Sequence, residues 1–127
     1  MGGSEEPGIE WFRSGTFDPN KFDPYLFNPD HPADQGKAEG WREVFDIGRG
    51  DGLLLQGLIR KQLDQATIVE QKPTVFGGEP HQVARRWELL IPEFRGPNGN
   101  VAPVLTAWAL EPPNTKPHFV TAYVRTD

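Results

Sequence analysis

His31 and Lys37 are the pair in this sequence best suited to handling a phosphate. His31 follows Asn28, Pro29 and Asp30 and precedes Pro32, which places it in a turn fixed by proline. Lys37 opens a helical pattern. The free N–H groups and the dipole at a helix start favour an anion. A histidine there can move a proton near neutral pH, and a lysine can hold a phosphoryl oxygen. The same two residues also read as a turn cap and a solvated cation. A second group lies on segments with strand character. Arg85 and Arg86 are adjacent, so they point to opposite faces. Arg85 falls on the apolar face, at a strand end or in a buried pair. Arg86 projects from the other face, free to grip a phosphate or to pair with an acidic neighbour. Thr106 with Trp108, and Thr121 with Tyr123, alternate on the last two strands. A face carrying Thr, Tyr, Trp and Arg suits stacking on a nucleobase, and it suits an aromatic core equally well.

Other chemistries are excluded by what the sequence lacks. It has no phosphate-binding Gly-rich loop of the Walker type, no dinucleotide fingerprint in a strand–helix context, no HExxH and no GxSxG. His31, His81 and His118 are far apart and show no metal-ligand spacing. The absence of Cys removes thiolate catalysis, disulfide staples and cysteine-ligated zinc together. Neither a metal nor a cofactor is expected.

The net charge is −5, and its distribution is uneven. Residues 1–36 hold seven acidic and two basic side chains, whereas residues 37–127 hold eleven of each. Proteins that grip long nucleic acid usually present a basic face. A neutral body allows only a local cluster around one phosphate, and the acidic excess fits docking on a basic partner. No apolar run approaches the roughly 20 residues of a membrane helix, and no signal peptide is visible at the start.

These residues must be positioned by a single domain of 127 residues, rich in Gly (14) and Pro (13) and carrying four Trp and eight Phe. Residues 1–20 read as a flexible or loosely packed leader and 21–127 as the domain. The segment 8–36 mixes aromatics with Pro19, Pro24, Pro29 and Pro32, the pattern of an extended arm laid on the body. Lys37–Ile47 spaces Ala38, Trp41, Val44 and Phe45 as a helical stripe. Gly48–Gly52 breaks it, and the Arg49–Gly50–Asp51 triplet inside reads as a turn rather than an adhesion motif. Asp51 is placed to cap a second helix over about 52–65, with Leu54, Leu55, Leu58 and Ile59 inward. Thr67–Glu70, His81–Ile91, Val101–Leu110 and His118–Val124 read as strands, with turn chemistry at Pro73–Pro80, Gly96–Gly99 and Pro112–Pro117. The expected fold is α+β, with two N-terminal helices packed on a four- to five-stranded antiparallel meander sheet.

Three segments carry a resemblance. Asp23–Pro24–Tyr25–Leu26–Phe27–Asn28–Pro29–Asp30–His31–Pro32 followed by Gly36–Lys37–Ala38 resembles a YLLNPxHPxGxxKA opening. Gly96–Pro97–Asn98–Gly99 with Thr106–Ala107–Trp108 resembles a GxNG…TxW middle, and Phe119–Val120–Thr121–Ala122–Tyr123 resembles a closing LVTAYP. Together they resemble an uncharacterised bacterial domain family of about a hundred residues, found alone or at the C-terminal end of large secreted proteins. Asp34 and Gln35 stand where that pattern has a Gly-rich turn, and Val124–Arg125 where it has Pro. The family is similar, more weakly, to polymorphic-toxin ribonuclease domains of the barnase/EndoU/colicin/RelE type. That resemblance implies RNA cleavage without metal by 2′-hydroxyl attack. His31 and Lys37 would work on the helix side and Arg86 and Thr121 on the strands, as catalytic residues, with Trp108 and Tyr123 binding the substrate. It implies an RNA substrate, a cognate immunity or antitoxin protein, no membrane, and a cytoplasmic site of action reached as part of a larger secreted toxin. The acidic leader supports a different expectation, a non-enzymatic immunity- or antitoxin-like binder. An accessory domain with no site is the third reading.

Overall fold

The computed structural model describes residues 8–31, 36–75, 83–111 and 114–125. A short helix α1 (Ile9–Arg13) leads into a 3-10 turn (Pro19–Lys21) and a single π-helical turn (Phe22–Leu26). Helices α2 (Lys37–Phe45) and α3 (Gly52–Gln62) follow, and α3 runs on into a 3-10 turn (Leu63–Gln65). The chain then forms β1 (Thr67–Val75), β2 (Val83–Arg95), β3 (Val101–Leu110) and β4 (His118–Val124). The sheet is an antiparallel meander of order β1-β2-β3-β4. The fold is therefore α+β with four strands among the described residues.

Residues 1–7 lie outside the described residues, but the chain from Ile9 onward enters the core. Phe12 is fully buried, meeting Trp87 at 5.6 Å and Trp108 at 6.1 Å, both edge to face. Arg60 of α3 fixes the exit from α1 by donating to the Arg13 and Gly15 carbonyls, with its guanidinium 5.0 Å above the Phe17 ring. Pro19 opens the 3-10 turn, where its missing N–H is not needed, and Pro24 lies in the middle of the π-helical turn.

Of the predicted α2 stripe, Ala38, Trp41 and Phe45 are buried and Val44 is half-buried. The helix ends two residues short of 37–47, because Asp46 takes a left-handed conformation (φ 56) and the Asp46 and Ile47 N–H groups fold back to Arg42 and Trp41 carbonyls. In α3, Leu55 and Ile59 are buried, but Leu54 is 44% exposed, and Leu63 takes the inward place in the following turn. Asp51 makes no side-chain cap. Its carboxylate instead accepts from the Gly48 N–H at 3.0 Å, which folds the Arg49–Gly50–Asp51 triplet into a closed turn.

The strands run longer than sequence patterning suggests. Thr67–Glu70 extends to Val75, where turn residues were expected from Pro73, and β2 continues past Ile91 to Arg95. Residues 76–82 and 112–113, where turn segments were expected, lie outside the described residues. Trp87, Leu89, Ile91 and Phe94 line the core face of β2. A bulge at Pro92 and Glu93 keeps Ile91 and Phe94 on that face although they are three apart. Arg85 is exposed at the end of the same face, its guanidinium 4.9 Å over the Trp87 ring, with no ion pair among the described residues.

Helix α2 is held against the sheet along its length. At its end, Asn98 and Asn100 of the β2–β3 turn donate to the Val44 carbonyl at 3.1 and 2.8 Å. In the middle, Trp41 meets the Phe94 ring at 5.9 Å and its indole N–H donates to the Ala122 carbonyl of β4 at 3.2 Å. A Cβ on Gly40 would lie 3.7 Å from Val124, so the helix and β4 are in direct contact. That docking fixes where the first residue of α2 points.

Candidate active site

Lys37 in the first turn of α2 reaches β4. Its Nζ donates to Thr121 Oγ1 at 3.3 Å and to Tyr25 Oη at 3.2 Å, and it also lies 5.3 Å from the centre of the Tyr25 ring. Tyr25 comes from the π-helical turn, whose wider winding follows Phe22 and brings Pro24 and Tyr25 into the bend. His31 packs edge to face on Tyr25 at 4.7 Å, and Lys21 Nζ stands 5.9 Å from the same ring. Three expected site residues, His31, Lys37 and Thr121, are thus drawn together around Tyr25.

Thr121 owes its position to a bulge. Ala107 pairs with Thr121 while its neighbour Trp108 pairs with Phe119, which leaves Val120 as an extra residue on β4. Strict alternation would put Phe119, Thr121 and Tyr123 on one face. The bulge instead sends Phe119 to the core beside Trp108, and turns Thr121 and Tyr123 to the opposite face beside Ala107 and Leu105.

This register corrects the expected stacking face. Trp108 and Thr106 lie on the core side, fully buried, and the Trp108 indole donates to Thr106 Oγ1 at 2.8 Å. Trp108 offers no ring surface to a base and is withdrawn as a binding residue. Tyr123 stays half-buried on the same face as Thr121. Arg86 shares that face, but it pairs with Ala109 in register, two strands from β4, about 10 Å away at the usual strand spacing. Its guanidinium contacts Glu88 at 3.5 Å, two residues along the same strand rather than across strands. Arg86 therefore stands outside the Lys37 cluster.

The cluster alters its tyrosine. Burial alone pushes the Tyr25 phenol up, but hydrogen bonds from Thr121 and Lys37, with the charges of Lys37 and Lys21, outweigh it and hold the phenol below its ordinary value of 10.0. Two lysines, a histidine, a hydroxyl and an acidified phenol converging on one spot can bind an anion and exchange protons with it. Among the described residues no group of His, Asp and Glu could hold a metal ion, and no helix is long and apolar enough to cross a membrane. Sequence reading missed Tyr25, which stands among prolines and aromatics in a segment whose pattern signals packing.

An α+β domain with a cationic, hydroxyl-bearing cluster between a helix start and an edge strand is the class these features define. The chain matches the family described as a domain of unknown function (DUF6883) over residues 13–126, and it belongs to that uncharacterised family. No curated protein and no solved structure matches it.

Proposed function

We propose that this domain is a ribonuclease-type toxin that cleaves RNA with its own side chains, without a metal. The helical side would carry the base side of the reaction, and β4 the hydroxyl side. His31 takes the proton from a 2′-hydroxyl. The 2′-oxygen bonds to the adjacent phosphorus and the 5′-oxygen leaves, taking a proton from Tyr25, so that the product is a 2′,3′-cyclic phosphate. Lys37 and Thr121 stabilise the charge that grows on the phosphoryl oxygens. Tyr123 serves as the stacking residue, and Arg86 holds a neighbouring phosphate rather than the reacting one. The observation that supports this reading is the single ammonium of Lys37 shared by Tyr25 and Thr121 beside His31.

The setting would be a cytoplasmic RNA target, a cognate immunity or antitoxin protein, and delivery within a larger secreted toxin. A second reading, a non-enzymatic immunity-like binder, is favoured by one feature, the acidic excess of residues 1–36. The test is induction of the chain in a bacterial host beside Lys37→Ala, with total RNA on a denaturing gel. Growth arrest with RNA fragments, both relieved by the substitution, supports the toxin. Normal growth with intact RNA removes it and favours the binder, whose basic partner would then be sought by co-purification.

A further inference from the structure

A pocket of about 300 Å³ opens at the start of β4, lined by Thr16, Asn114, Thr115, Lys116 and His118. Every lining side chain is polar, and Lys116 is its permanent charge. No carboxylate lines it; that of Glu111 stands 3.6 Å from His118 Nε2, outside the lining. Among the described residues no acidic group pairs with Lys116. The backbone closes this loop without spending those side chains. The Asn114 N–H donates to the Glu111 carbonyl at 2.8 Å, and the Trp11 indole to the Thr115 carbonyl at 3.3 Å. Thr16 is tied to β4 by its own N–H, which donates to the Pro117 carbonyl at 3.0 Å, and by its carbonyl, which accepts from the Phe119 N–H at 2.9 Å. Two hydroxyls, a carboxamide and an ammonium thus surround one space on a fixed backbone.

Hydrogen-bond donors around a cation, with no carboxylate among them, select an oxyanion. A hard metal ion would lack its carboxylate ligands there, and an apolar group would find no apolar wall. The register says where that oxyanion sits relative to Lys37. His118 pairs with Ala109 and Thr121 with Ala107, so the two share the outward face of β4, about 7 Å apart along the strand. Lys37 reaches Thr121 at one of these positions, and Thr16 bridges to His118 at the other. A single strand that places one phosphate at Lys37 and runs along β4 brings its next phosphate to the pocket. Arg86, two strands inward, is left for the phosphate on the other side of the reacting one.

We propose that the pocket formed by Thr16, Asn114, Thr115, Lys116 and His118 is a second phosphate site, and that it holds the phosphate next in the strand to the one at Lys37. The strand in this proposal rests on the ribonuclease reading; the pocket's taste for phosphate does not. Lys116 is the binding residue to test, because it is exposed in a loop and its replacement leaves the core untouched.

The test has two arms on the full chain. In the first, inorganic phosphate is titrated while the amide signals of Thr115, Lys116 and His118 are followed by NMR. They should shift and saturate in the parent chain and in Lys37→Ala, and stay still in Lys116→Ala; Lys116→Arg, which keeps the charge, should restore the shift. Signals that do not move in the parent, or that move equally in Lys116→Ala, overturn the phosphate site. In the second arm, 2′-O-methyl dinucleotides, which cannot be cleaved because the attacking hydroxyl is blocked, are compared with and without a terminal phosphate at the 5′ or the 3′ end. A terminal phosphate at one end should tighten binding about tenfold, the size of one charge-assisted hydrogen bond, and in Lys116→Ala the gain should fall to within about twofold. No gain from either end, or a gain that survives in Lys116→Ala, overturns the strand assignment and leaves a pocket that answers in the first arm with free phosphate as its ligand. The ribonuclease reading fails separately, on intact RNA in the gel.

Discussion

Lys37 Nζ sits 3.2 Å from Tyr25 Oη, so the first helical residue and a tyrosine of the preceding π-helical turn share one proton-rich contact. The contact helps hold the Tyr25 phenol below its ordinary value of 10.0. Ultraviolet titration should show one phenol ionising below 10.0 and lost in Tyr25→Phe, while Lys37→Ala moves it upward. The sign for stability follows. A folded pKa below the unfolded value favours the folded state when the phenol is ionised. That contribution is complete above the unfolded value and is lost as pH falls through the folded pKa. The stability gap between the parent chain and Tyr25→Phe should therefore widen as pH rises toward 10.0. A Tyr25 phenol that titrates at the ordinary value, or that does not move in Lys37→Ala, would break the link to Lys37.

Arg86 tests how far the site extends. It stands two strands from Thr121 and contacts Glu88, so it cannot bond the phosphate that Lys37 holds without moving. A grip on a neighbouring phosphate would appear in binding rather than turnover. Arg86→Gln should raise KM about tenfold, the size of one charge-assisted hydrogen bond, and change kcat by less than about threefold. A collapse of kcat at unchanged KM would return Arg86 to the reacting centre.

Trp108 should behave as a core residue. Its ring meets Phe12, Phe17 and Phe119, and its N–H is bonded to Thr106. Trp108→Ala should cost about 3–5 kcal/mol, read by denaturant unfolding. Tyr123→Ala should cost less, because the ring is only half-buried, and should weaken RNA binding instead. A folded Trp108→Ala chain of normal stability that has lost RNA binding would reverse these two roles.

What sequence could reach, and what it could not, divides on sheet register. The α2 stripe and the bounds of β3 and β4 were readable, because helical spacing and Gly-Pro punctuation are local signals. His31, Lys37 and Thr121 were readable as residue types, and their meeting depends on α2 docking on β4. The separation of Trp108 from Thr121 was not readable. It follows from one extra residue, Val120, which alternation along a single strand does not reveal. Tyr25 was hidden for a related reason. Its hydroxyl gains chemistry only from a lysine and a threonine distant in sequence.

Gly96 is the tightest point in the chain of contacts that sets Lys37. A Cβ there would fall 2.4 Å from Cδ1 and 2.9 Å from Cγ of Phe45, a ring with no exposed surface. Gly96→Ala should destabilise the fold by about 1–3 kcal/mol and lower Tm by several degrees in a thermal melt. If the clash is with this ring, Phe45→Leu should cost less in the Gly96→Ala background than in the parent. Additive costs would point to the turn backbone as the cause.

The far end of β2 depends on two glutamines. Pairing with β1 stops at Leu90, and β2 runs on to Arg95. There Gln62 donates to the Arg95 carbonyl at 2.9 Å and accepts from its N–H at 2.8 Å, while Gln65 does the same for Glu93 at 3.1 and 3.0 Å. Each side-chain amide thus stands in for a residue of the missing strand, since it carries one donor and one acceptor in peptide-like geometry. These bonds are exposed, so water can replace them and each glutamine contributes about 1 kcal/mol. Gln62→Ala should speed exchange of the Arg95 amide hydrogen about fivefold, with the core strand amides unaffected. Gln62→Glu keeps the acceptor but loses the donor and sets a carboxylate against the Arg95 carbonyl, so it should be no better than alanine. Unchanged exchange at Arg95 in both variants would mean that the overhang is held by its packing at Phe94 rather than by the glutamines.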